Sequence, residues 1–187
     1  MELNKIVAKT ELEFIGGEPK VTEFLNQTDQ KKIDILKCVN ASWEGVQTCA
    51  TIGLNSVDIG LISNGSKLRV EVLGVSDVSV NCFENILATT AFEIMDSQEC
   101  FPGHVVQSVV REYLPDCEMQ HILLTDPFLW EGAKSIVVGD ICVAWLLMVP
   151  ISDQEFKYAQ ENGVDALEAL LEEKSVDVCD IYRESVV

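Results

Sequence analysis

Residues 141–163, ICVAWLLMVPISDQEFKYAQENG, decide the fold. From Ile141 to Val149 the run is apolar without alternation. A strand reads this way when both of its faces are covered, which places it at the centre of a sheet. Pro150 and Ile151 then lead into Ser152, and Glu155 follows three residues later. That spacing predicts a capping box, with Ile151 and Phe156 as the hydrophobic staple across the helix start. Gly163 ends the helix. Beyond it, Asp165 is expected to cap a second helix with Glu168 at its third position. Leu167, Leu170 and Leu171 give that helix a buried stripe, while Asp165, Glu168 and Glu172 share the other side with Glu173 beside them. The prediction is an acidic helix face.

Outward from this segment the pattern is mixed. Residues 2–15 form an amphipathic helix stopped by Gly16-Gly17. Strands are expected at Lys20–Phe24, Ile33–Val39, from Gly45 to Leu54, and at Leu68–Val72, where apolar residues alternate with Arg69 and Glu71. Asn81 and Glu84 predict a second capping box before a helix whose core face holds Phe83, Ile86, Leu87, Ala91 and Met95. Further strands are expected at Val105–Tyr113, Met119–Thr125 and Ser135–Val138. The fold class is therefore α+β: a mixed, mostly antiparallel sheet flanked by helices, with two acidic helices near the C-terminus. No repeat, low-complexity tract or linker divides residues 1–187, so one domain is expected.

Charge narrows the partners. Thirty-one acidic residues against thirteen basic ones leave a formal charge of −18. Eight of the bases lie at or before Arg69, and from Val75 to Ala133 only Arg111 stands against ten acids. A broad negative field repels nucleic acid and anionic membranes and attracts basic partners. It also favours a monomer when free. Seven cysteines without a CxxC spacing read as reduced, buried thiols, which points to the cytoplasm. The apolar run Ile136–Ile151, interrupted by Asp140, is shorter than the ~20 residues of a membrane span.

Catalytic patterns are missing. There is no GxSxG, P-loop, GxGxxG or HExxH. His104 and His121 are the only histidines, and both read as surface or satisfied core residues. Cys117 and Glu118 with His121, or Cys179 with Asp180, lack the paired spacing of a metal site. Cys179 and Arg183 are too close in sequence, and too poor in glycine, to wrap a phosphate. No cofactor is expected. Trp145 lies mid-strand and reads as core. Trp130, in TDPFLW with Asp126, reads as a loop residue whose ring lines an interface.

Several segments together resemble the suppressor-of-fused-like family. They are TIGL at Thr51–Leu54, which includes Gly53, RVEVLG at Arg69–Gly74, PGHVV at Pro102–Val106 and HILLTDPFLW at His121–Trp130. The most specific are Val143–Gly163, with Trp145 and Pro150 in its WLxxVPIS order, and VDVCDIYRESV at Val176–Val186. The resemblance implies a mixed sheet with flanking helices and no catalytic machinery. It also implies that Asp180 and Arg183 form a charge pair fixing the tail. Bacterial stand-alone members resemble immunity proteins, or antitoxins, which neutralise toxins of competing cells. On that reading the partner is a basic toxin, such as a nuclease, occluded by Asp165, Glu168, Glu172, Glu173, Asp126 and Trp130. The alternative is an adaptor that sequesters a transcription-factor or signalling peptide by β-strand addition.

Overall fold

A computed structural model describes residues 2–187. Helix α1 (Glu2–Ile15) leads into strands β1 (Lys20–Leu25), β2 (Lys32–Val39) and β3 (Val46–Ile52), and a short 3₁₀ turn at Leu54–Ser56 follows. Next come β4 (Ile62–Ser63), β5 (Ser66–Asp77), α2 (Phe83–Ser97), β6 (Val105–Val106), α3 (Val109–Tyr113) and β7 (Met119–Thr125). The chain closes with β8 (Ile136–Val138), β9 (Ile141–Ser152), α4 (Asp153–Asn162) and α5 (Val164–Glu173).

Among the described residues all strands join one sheet, ordered β1-β2-β3-β5-β9-β7-β6, with β4 paired to β5 and β8 to β9. The pair β5–β9 is parallel, with Glu71 beside Trp145, and every other pairing is antiparallel. As its unbroken apolar run requires, β9 is central. Its side chains alternate between two cores: Leu146 and Met148 meet α2 and α3, while Trp145, Leu147 and Val149 meet α1, α4 and α5. Helices on both faces of the sheet make three layers.

Local signals fix α4 as predicted. Ser152 Oγ accepts the Glu155 N–H and Glu155 Oε2 accepts the Ser152 N–H, both at 3.0 Å. Three expectations need correction. The Asn81 capping box does not form: α2 starts at Phe83 after Cys82 without a side-chain cap. The Cys82 carbonyl receives the Asn85 and Ile86 N–H groups, while Glu84 pairs with Lys37 at 2.8 Å. Only Val105 and Val106 of the expected strand at 105–113 pair with a neighbour. Ser108 then turns at φ 62° into α3, because adjacent Val109 and Val110 are both buried under α2. One turn of helix buries neighbouring residues together, whereas a one-sided strand exposes one of them. Lastly, Gly163 at φ 94° ends α4 and also opens α5, so Asp165 sits inside the first turn instead of capping it.

Candidate functional site

A groove of about 640 Å³ runs beside α5. Leu123 and Thr125 of β7 and Val149 of β9 form its floor. One wall is α5 and the other is the chain after it, at Ser175, Val176 and Val178, with Phe128 at the lip. Helical spacing sets the acids. Asp165, Glu168 and Glu172, on one stripe of α5, all line the groove, and no lysine or arginine does. Thr125 Oγ1 donates to Glu168 Oε1 at 2.5 Å, which holds that carboxylate over the floor. Glu173 is exposed and lies outside the lining. Asp126 is exposed next to Thr125 and also lies outside it.

The expectation for Trp130 is overturned. Its ring is 8% exposed, packed at 6.1 Å from Phe14 and 5.9 Å from Trp43, and its Nε1–H donates to Ser42 Oγ. Residues from the N-terminal third of the chain cover it, which local sequence does not reveal. The apolar surface that this loop does present is Phe128, 62% exposed.

The groove's second wall depends on how the tail is held. Arg183 does not pair with Asp180. Its Nη1 and Nη2 donate to Glu155 Oε1 and Oε2 at 2.6 and 2.8 Å, and Nη2 also donates to the Pro150 carbonyl at 2.9 Å. Such a two-pronged pair is geometrically specific. Glu155 is fully buried and accepts the Val186 N–H as well. Asp180 is exposed and accepts the Tyr182 N–H at 2.9 Å, an Asx turn that aims Arg183 inward.

Two more carboxylates are buried, Glu71 on β5 and Glu11 on α1. Glu71 accepts from Thr51 Oγ1 (2.6 Å), the N–H groups of Gly53, Leu54 and Asn55, and Asn55 Nδ2. Gly53, at φ 108°, gives the chain the left-handed turn that presents these amides to one carboxylate. Burial raises the Glu71 carboxyl above its ordinary value, against the lowering effect of its donors. Glu11 of α1 receives one bond, from Trp145 Nε1 at 2.9 Å, and its Oε2 has no partner. Burial, with repulsion from Glu71 second, holds its carboxyl well above the usual carboxylate range. So Trp145 is a core residue, as expected, and also a donor that anchors α1.

Both nitrogens of His121 are occupied. Nδ1 accepts the Ser108 N–H at 2.9 Å, so the hydrogen lies on Nε2, which donates to Asp153 Oδ1 at 2.8 Å. His104 packs edge-to-face against Phe101 at 5.2 Å, and its burial lowers its basicity. Among the described residues no group of three His, Cys, Asp or Glu side chains is placed to hold a metal ion. No helix among them is long and apolar enough to cross a membrane.

The architecture is a mixed sheet between two helical layers, with a buried carboxylate–arginine pair tying the tail down. Residues 29–184 match the family model described as Suppressor of fused protein (SUFU), and the chain belongs to that family. More particularly, it is 37% identical over 186 residues to "Immunity protein YqcF" of Bacillus subtilis (strain 168), covering 98% of this chain and 97% of that one. The crystal structure of a suppressor of fused homologue from Neisseria gonorrhoeae superposes with a TM-score of 0.74 at 18% identity, covering 100% of this chain and 98% of that one. Drosophila Suppressor of Fused gives a TM-score of 0.64 at 12% identity, covering 98% of this chain and 50% of that one.

Proposed function

We propose that this chain is a non-enzymatic, protein-binding immunity protein that neutralises a basic toxin by covering its active surface with the acidic α5 face. The observation that carries this reading is the groove lining: Asp165, Glu168 and Glu172 around an apolar floor, without a basic residue. The name of the Bacillus relative supports the same class. A nuclease is the toxin class whose surface suits such a face, since enzymes that grip phosphate backbones are basic. The protein works as a cytoplasmic monomer without a cofactor, and its −18 charge speeds the encounter.

The test is co-purification with the products of adjacent genes, followed by affinity measurements across a salt series. Binding should weaken steeply with salt. Asp165→Asn with Glu172→Gln and Glu173→Gln should raise Kd roughly tenfold, mainly through slower association. A complex indifferent to both would sink the acidic-face reading.

One observation favours a second reading. Strand β1 is an edge of the sheet, and its Val21 and Leu25 are each 52% exposed. An adaptor that captures a peptide by extending the sheet would use that edge. Its complex would survive high salt and would be lost on placing proline in β1.

A further inference from the structure

We infer that the groove beside α5 takes a basic segment of a partner protein through an apolar anchor: a leucine- or phenylalanine-sized side chain seated between its apolar walls, with flanking lysines or arginines at the rim. This deepens the immunity reading and rests on it for the partner's identity.

The argument starts from what the groove is made of. Its floor side chains, Leu123 at 1% and Val149 at 2% exposure, are almost wholly covered, and the apolar surface open above this floor comes from Phe128, Ala169, Val176 and Val178. Charge alone does not require such a floor, because an acidic patch on a convex surface would steer a basic partner equally well. A volume of about 640 Å³ falls within the ~300–1,000 Å³ of pockets that enclose a ligand. The exposed Phe128 extends the apolar surface outward at the lip. Rim charge sets the sign of the neighbours. Asp165 and Glu172 are exposed, and Glu168 is held toward the floor by Thr125. An apolar ligand flanked by acids is rejected here, and one flanked by neutral groups gains nothing from the rim. Leucine or phenylalanine between cations satisfies both parts. A second copy of this chain, itself at −18, does not.

The probe is a short synthetic peptide alternating leucine and lysine, with one control carrying serine for leucine and another glutamate for lysine. Binding is followed by amide chemical shifts. The expected result is that the leucine–lysine peptide moves Leu123, Thr125, Ala169 and Val176, and that both controls bind at least about tenfold more weakly. Ala169 is exposed on the groove wall, so Ala169→Trp fills the site without disturbing the core or any carboxylate. It should weaken the peptide by more than about tenfold, the scale of an interface hot spot, and Phe128→Ala should weaken it less. Shifts spread evenly over the acidic surface, a serine control that binds equally, or indifference to Ala169→Trp would each overturn the inference. So would a dimer of the free protein that Ala169→Trp dissociates. The two readings separate cleanly. A toxin complex untouched by Ala169→Trp removes the anchor and leaves immunity standing. A peptide seated in the groove without any toxin complex does the reverse.

Discussion

Helices α1 and α4 pack on the same face of the sheet, and each buries a glutamate completely, yet the two carboxylates are treated in opposite ways. Glu155 meets a guanidinium and backbone N–H groups, so both oxygens are satisfied as an anion. Glu11 meets one indole N–H, faces Glu71 as a repelling neighbour, and leaves Oε2 without a partner. A buried charge that is paired is costly to break, whereas one that is not paired keeps its proton. The C-terminal element is therefore fastened by an ion pair, whereas the N-terminal helix holds a carboxyl group that burial shifts toward its neutral form. The groove belongs to the fastened end.

The largest effect should come from removing the cation. Arg183→Met leaves Glu155 buried and uncompensated, and should lower unfolding free energy by about 3–5 kcal/mol in urea titration. Adding Glu155→Gln should recover part of that loss. If Arg183→Met alone proved neutral, the asymmetry between the two helices would be wrong. Next comes Glu71→Gln, which turns an NH₂ toward donors that need an acceptor. A loss of about 2–3 kcal/mol is expected.

Glu11 sharpens the contrast through pH. Its unfolded carboxyl ionises near the ordinary ~4.3, while the folded one keeps its proton to higher pH. Above the unfolded value the native state thus binds more protons, so this group's contribution is full below it and is lost as pH rises through the folded value. Wild-type stability should fall on that limb by up to about 1.4 kcal/mol per pH unit from this group, and Glu11→Gln should flatten the slope. Parallel denaturation curves for the two proteins from pH 5 to pH 9 would contradict the assignment. The smallest effects compare two helix starts. Ser152→Ala should cost about 1 kcal/mol in thermal unfolding, and Asn81→Ala, which caps nothing, should stay within about 0.5 kcal/mol.

What could be read from sequence divides along the same line. Strand β9, the α4 capping box and the acid stripe of α5 were legible because each is a local pattern of three to nine residues. The Asn81 box failed because the helix starts one residue later, after Cys82, and the Glu84 side chain turns to Lys37 on a neighbouring strand. The family resemblance implied a pair between Asp180 and Arg183, but an Asx turn consumed the aspartate and sent the arginine to a residue twenty-eight positions away. Trp130 is hidden by aromatic rings from distant segments. Glu11 and Glu71 were invisible among thirty-one acids, since burial is a tertiary property. The α5 carboxylates could be foreseen, whereas the groove's floor, assembled from β7, β9 and the tail, could not.

The parallel pairing of β5 with β9 also sets an order of events. Strand β5 has β3 on one side early in synthesis, but its other side stays open until residues 141–152 leave the ribosome. For about a third of the chain's length a nascent apolar edge waits unpaired, the kind of surface that invites wrong partners. Contacts so distant in sequence also slow the search for the native state. Closure comes last, when Arg183 reaches Glu155, so a chain truncated before that residue would keep a sheet whose two halves have met but are not locked.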